Sequence, residues 1–220
     1  MIKGAIFDVD GTLLDSMQMW IHFGEFYLSS KGIEVGPDFD EKIKYFSLRE
    51  VAEEISDNYP LGMTADEVEE DCERVTQNFY FEEVALKKGV RELLETLHNC
   101  GVQMYIATAT YESLIRPALE RLGIMKYFKG IVTCSDVGCG KDKPDVFAYA
   151  LEQIKTPLSD TWVFEDALHA VKTAKAYGFK VFGVYDLTED ENKEKIKSIC
   201  DVYRDSLEGV SIADIKVKNQ

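Results

Sequence analysis

From residue 89 onward the chain keeps one rhythm, an amphipathic helix and then a short apolar run, with a glycine stop after three of the helices. No other feature restricts the fold as much. Residues 90–100 read as a helix stopped at Gly101, and 102–107 as an apolar strand followed by Thr108. Residues 114–122 repeat the helix with a stop at Gly123, and 130–134 the strand. A helix over 145–154 precedes a strand over 161–164, which ends at Glu165-Asp166. A helix over 167–177 stops at Gly178, and a strand follows at 180–184. Residues 196–199 suggest a further helix and 201–203 a last short strand. Helices of about ten residues between short apolar strands imply crossover connections, and so a parallel, doubly wound α/β sheet.

The same sheet needs a first strand, and Ala5-Ile6-Phe7 supplies it before the chain turns polar at Asp8. Between that strand and the repeating part lies a different pattern. Residues 16–31 carry Met19, Trp20, Phe23, Phe26 and Tyr27 at helical spacing, with Gly32 as a stop. Ser47-Leu48-Arg49-Glu50 and Thr64-Ala65-Asp66-Glu67 each place a hydroxyl cap three residues before a glutamate, the pattern of a capping box. Residues 16 to about 84 therefore read as all-helical. We expect a core of residues 1–15 and 86–220, with 16–85 as an inserted helical cap.

Charge and composition exclude several classes. Against 25 Lys+Arg stand 40 Asp+Glu, a net charge of −15. An acidic surface repels nucleic-acid phosphates and anionic membranes, so neither is an expected partner. It also repels a phosphate-bearing substrate unless cations are placed locally. Five scattered cysteines without a C-x-x-C pair, and only three histidines, argue against a zinc site and for reduced thiols in a cytoplasmic protein. Asp8 and Asp10 interrupt the apolar start, so no signal peptide is expected, and no run is long enough to span a membrane. We expect a monomer.

Ligands of open α/β sheets bind beyond the carboxyl ends of the strands. The residues expected there are Asp8 and Asp10, then Thr108, then the loop of Lys141, then Glu165 and Asp166. Clustered carboxylates suit Mg²⁺, which takes one or two of them and keeps waters or substrate phosphate as its other ligands. An aspartate can attack phosphorus, and a second carboxyl two residues on can serve as acid and then base. Gly11 allows a tight turn beside them. A calcium loop is excluded because the glycine follows the first Asp too soon.

The segment Phe7-Asp8-Val9-Asp10-Gly11-Thr12-Leu13-Leu14-Asp15-Ser16 resembles the first motif of the haloacid dehalogenase-like superfamily. Tyr105-Ile106-Ala107-Thr108 resembles its second motif, Gly140-Lys141-Asp142-Lys143-Pro144-Asp145 its third, and Val163-Phe164-Glu165-Asp166-Ala167 its fourth. The resemblance implies a Rossmann-like core and a small helical cap of the beta-phosphoglucomutase-like branch. It also implies a phosphatase acting on a small phosphorylated metabolite through an aspartyl-phosphate. Asp8 would be nucleophile and metal ligand, and Asp10 the acid/base with its carbonyl on the metal. Thr108 would bond the phosphoryl group, and Lys141 would neutralise charge. Asp166 would bind Mg²⁺, with Glu165 directly or through water. Gly11, Thr12, Ala109, Thr110 and Arg49 are the substrate-binding candidates. For Arg49 a plain surface charge is the alternative. Lys143 competes with Lys141, because Asp142 replaces the family's usual proline.

Asp10 argues against dehalogenation, which has no alkoxide to protonate. The mutase branch carries a histidine where this chain has Trp20. His22 is two residues on, about 200° around a helix, and so faces elsewhere. Hydrolysis is therefore favoured over mutase chemistry. A catalytically silent binding protein on the same fold is the third reading.

Overall fold

The computed structural model describes residues 2–36, 38–43 and 48–215. Contacts divide the chain into one unit of Met1–Asp15 with Val84–Gln220 and a second of Ser16–Glu83.

The first unit is built on six parallel strands: β1 (Gly4–Phe7), β2 (Gln103–Thr108), β3 (Ile131–Thr133), β4 (Thr161–Glu165), β5 (Lys180–Val184) and β6 (Val202–Arg204). They lie in the order β3-β2-β1-β4-β5-β6. Gly4 pairs with Gln103 on one side and Thr161 on the other, so β1 is central and carries no polar alternation. The edge strands β3 and β6 are only three residues long, which leaves little unpaired backbone to recruit another chain.

The helices of this unit are numbered after the five of the second: α6 (Val90–Asn99), α7 (Glu112–Arg121), α8 (Cys134–Val137), α9 (Asp145–Ile154), α10 (Leu168–Tyr177) and α11 (Lys193–Ile199). Short α8 falls where the sequence suggested only the tail of a strand. Thr133 closes a capping box onto Asp136 and so starts a helix at once after β3. Ile6, Ala107, Val132, Val163 and Val181 form one sheet face, on which Val146, Phe147, Ala150, Ala170, Val171 and Ala174 of α9 and α10 close the core. Strand alternation sends Phe7, Phe164 and Phe182 to the opposite face. Their rings stack across neighbouring strands, with centroids 4.3 and 4.9 Å apart. This aromatic row is the last apolar layer before the acids that follow β1 and β4.

The second unit is helical: α1 (Met17–Ile21), α2 (Phe23–Ser30), α3 (Asp38–Ile43), α4 (Leu48–Asn58) and α5 (Ala65–Asn78), then a π-turn at Phe79–Glu83. The capping box at Thr64 forms, with Thr64 Oγ1 accepting from Glu67 N and the Glu67 carboxylate accepting from Thr64 N. The one expected at Ser47 lies outside the described residues. The single helix expected over 16–31 is broken at His22. The cause is distant in sequence: Asp40 of α3 accepts hydrogen bonds from Gly24 N (2.8 Å) and Glu25 N (3.3 Å), capping a new helix there. Among the described residues no helix is long and apolar enough to cross a membrane.

Candidate active site

Strand order 3-2-1-4-5-6 places its reversal between β1 and β4, the crevice where open α/β sheets take ligands. Asp8 is the first residue past β1, and its N–H donates to Phe164 O at 3.0 Å, extending the sheet ladder by one step. Its carboxylate is therefore held by backbone and is almost wholly buried. Glu165, the last residue of β4, and Asp166 just past it are buried as well.

Lys141 reaches this group from the loop after α8. Its buried ammonium donates to Asp8 Oδ1 and to Glu165 Oε1, the latter at 2.6 Å, and lies 5.7 Å from the centre of the Phe147 ring. Lys143, the competing candidate, is exposed. Both Glu165 oxygens are engaged, because Oε2 accepts from Asp166 N and Ala167 N at 2.7 and 2.8 Å. Glu165 thus holds the lysine and the turn that carries Asp166. Thr12, expected to meet substrate, has no exposed surface, and its hydroxyl donates to Asp166 Oδ1 at 2.8 Å. It orients that carboxylate.

Gly11 sits at φ +86°, and a Cβ there would stand 2.3 Å from Asp166 Oδ2. The glycine is demanded twice, by its left-handed backbone and by the closeness of the acid. Its own N–H and that of Thr12 are taken up within the turn by Leu14 O and Val9 O. Thr108 is buried at the end of β2, and its hydroxyl accepts from Thr110 N at 3.1 Å. Thr110 Oγ1 donates to Asp10 Oδ2 at 2.7 Å, tying the loop after β2 to the loop after β1. Asp10 and Thr110 are half-buried, and Ala109 is exposed between its two threonines. Arg49 belongs to the helical unit, where Glu53, Asp66 and Glu69 engage its guanidinium.

Electrostatics follow from burial. Asp8 is pushed up to about 7, chiefly by burial, with Lys141 pulling it down and Glu165 and Asp10 adding repulsion. Asp166 is raised well above the usual carboxylate range by burial, then by Glu165 and Asp8. Burial opposes the charge on Lys141, but Asp8 and Glu165 outweigh it and hold its ammonium firmly protonated. Three buried carboxylates thus face one ammonium. Asp8, Glu165 and Asp166 can each offer an oxygen, and these atoms lie within 4.8 Å of one another. A hard divalent cation fits such a donor set, since it removes the repulsion that raises Asp8 and Asp166.

Two residues escaped the sequence reading. Lys87 Nζ donates to Asp186 Oδ2 and Tyr185 O, both at 2.7 Å, forming a mostly buried ion pair. Asp186 is the second residue past β5, and it adds to the field raising Asp166. Applying the carboxyl-end rule to the fifth strand would have found it.

Known proteins resemble this chain over most of its length. A "Phosphorylated carbohydrates phosphatase" of Thermotoga maritima is 26% identical over 197 residues, 86% of this chain and 88% of its own. The "Tyrosine-protein kinase PtkA" of Mycobacterium tuberculosis is 31% identical over 185 residues, 79% of this chain but only 59% of the kinase. A solved beta-phosphoglucomutase-like structure from Thermotoga maritima superposes with a TM-score of 0.80 at 23% identity, covering 92% of this chain and 94% of its own. The model of the family described as haloacid dehalogenase-like hydrolase matches residues 5–184. With its motifs in order along that match and gathered beyond one sheet edge, the chain belongs to the haloacid dehalogenase-like hydrolases.

Proposed function

We propose that the chain is a Mg²⁺-dependent phosphatase that hydrolyses a small phosphorylated metabolite through an aspartyl-phosphate. The observation that carries this reading is Asp8: a buried carboxylate at the centre of the sheet edge, bonded to Lys141 and flanked by Asp10 and Asp166. Asp8 attacks phosphorus and the alkoxide leaves. Asp10, steadied by Thr110, protonates the departing oxygen and then takes a proton from the water that cleaves the intermediate. Thr108 accepts from Thr110 N and so keeps its own O–H as a donor for a phosphoryl oxygen. Lys141 balances the charge gathered on Asp8 and phosphate.

Asp8, Asp166 and the Asp10 carbonyl are the groups proposed to hold Mg²⁺, with Glu165 acting through Lys141 or a bridging water. When bound, the ion supplies charge neutralisation and a template for phosphoryl oxygens. The helical unit is proposed as the cap that selects substrate. Trp20 stands where mutase chemistry has a histidine, and its Nε1 donates to Tyr80 OH at 2.9 Å. Hydrolysis, rather than phosphoryl transfer back to a sugar, is the reaction this favours.

The test is phosphate release across a panel of sugar phosphates, nucleotides and phosphoglycolate, with and without EDTA, using Asp8→Asn as control. We expect release that needs Mg²⁺ and Asp8. Interconversion of glucose phosphates without free phosphate would replace hydrolysis by mutation of the ester position. Absence of release from every substrate would sink the phosphatase reading.

A further inference from the structure

A second set of ligand atoms lies inside the helical unit. His22 occupies the break between α1 and α2, Glu25 is in the first turn of α2, and Asp40 is in α3. His22 Nδ1 is 3.7 Å from Asp40 Oδ2 and 3.9 Å from Glu25 Oε2. One ligand atom from each residue lies within 4.8 Å of the other two.

The two oxygens of Asp40 have different standing. Oδ1 caps α2 through Gly24 N and Glu25 N. Oδ2 is buried and has no hydrogen-bond partner among the described residues, and the whole residue is only 8% exposed. Capping explains Oδ1 and leaves Oδ2 unexplained, because a buried carboxylate oxygen without a partner costs free energy. The junction holding it is tight: a Cβ on Gly24 would stand 2.5 Å from the Phe39 ring and 2.9 Å from Asp40 Oδ1. Asp40 is thus locked by backbone, while His22 and Glu25 are about half exposed and free to adjust. An orienting bond on one carboxylate oxygen leaves the other aimed as a ligand.

Distances favour an ion over direct contact. At 3.7 and 3.9 Å the imidazole is too far from either carboxylate for a hydrogen bond. Bonds of about 2.0–2.2 Å in a tetrahedral site would set ligand atoms about 3.3–3.6 Å apart. A shift of a few tenths of an ångström brings His22 to that spacing from each acid. The two acids, whose ligand atoms lie within 4.8 Å, close the rest through the half-exposed Glu25 side chain. An imidazole ligand selects transition metals over Mg²⁺ or Ca²⁺.

We propose that His22, Glu25 and Asp40 bind a divalent transition-metal cation, with Zn²⁺ as the probe, and that the ion clips the α1–α2 break to α3. Cysteine and histidine spacing could not reveal it, since two of its three ligands are carboxylates and one comes from a separate helix.

Zinc binding is measured on the full chain carrying Asp8→Asn and Asp166→Asn, which weakens the sheet-edge cluster. The readouts are competition with a chromophoric chelator and the imidazole resonances of the three histidines. We expect one equivalent of zinc, undisturbed by millimolar Mg²⁺, that shifts the His22 resonance and leaves His98 and His169 in place. Adding His22→Ala should abolish that equivalent with the far-UV circular dichroism unchanged. Asp40→Asn, which keeps an oxygen for the cap but loses the charged ligand, should weaken binding at least tenfold. Zinc stoichiometry unaltered by His22→Ala, or a His22 resonance that zinc does not move, overturns the proposal. The second result would leave His22 as a side chain near two acids and no more.

Discussion

Beyond the sheet, Asp8 shares Lys141 with Glu165 and lies against a buried Asp166. In the helical unit, Asp40 spends one oxygen on the first amides of α2 and turns the other toward half-exposed His22. Both aspartates are buried, yet the first belongs to a crowd of like charges and the second stands beside a single imidazole ring. Burial alone therefore does not define a site. At the sheet edge several strands end together, so carboxylates from distant segments are compressed and their proton affinity rises. In the helical unit one helix caps another, and a single oxygen is left over.

The comparison breaks first at the proposed nucleophile. Asp8→Asn should lower phosphate release by about 10⁴-fold or more, the scale of removing a nucleophile, measured against the parent at saturating Mg²⁺. The variant should stay folded, since the change removes repulsion. Activity surviving within tenfold would mean that Asp8 is only a member of the crowd. Lys141→Met should reduce turnover by about 10²–10³-fold. It should also destabilise the metal-free chain by about 3 kcal/mol at pH 8, because two buried carboxylates lose their cation. Urea unfolding of the two proteins checks the second number, and equal midpoints would remove Lys141 from the account.

A finer cut is Thr12→Val, which keeps shape and deletes the bond to Asp166. Mg²⁺ affinity, followed by calorimetry, should fall about 10–100-fold with little change in substrate KM at saturating metal. A substrate-binding Thr12 would instead raise KM.

The smallest expected effect is on melting temperature. Asp8 and Asp166 bind protons more tightly folded than unfolded, so their contribution to stability is full below about pH 4. It is lost as pH rises toward about 7, the folded value of Asp8. Without metal, the parent should lose stability across that window relative to a variant carrying Asp8→Asn and Asp166→Asn. Mg²⁺ should raise the parent's melting point by several degrees at pH 8 and by less at pH 5, where protons compete. An equal Mg²⁺ effect at both pH values would show that the ion does not answer the carboxylate repulsion.

Much of this was legible locally. A β-strand buried on both faces and an amphipathic helix have different periods, so the alternation after residue 89 marked the sheet, and the residues following each apolar run marked the edge proposed as the site. The helical unit was harder. Residues 16–31 read as one helix because the apolar spacing continues through His22, and nothing nearby announces that Asp40 will cap a new helix at Gly24.

By itself, then, the sequence determined the parallel α/β class, the acids, hydroxyl and lysine candidates of the edge, and the need for a cation beside them. Those follow from periodicity, chain turns and charge, which act over a few residues. Tertiary structure alone decided the strand order, the bonding of Lys141 to both Asp8 and Glu165, the turning of Thr12 toward Asp166, the Lys87–Asp186 pair and the spare oxygen of Asp40. Each depends on residues brought together from distant segments, where burial makes one partner the difference between a compensated charge and a costly one.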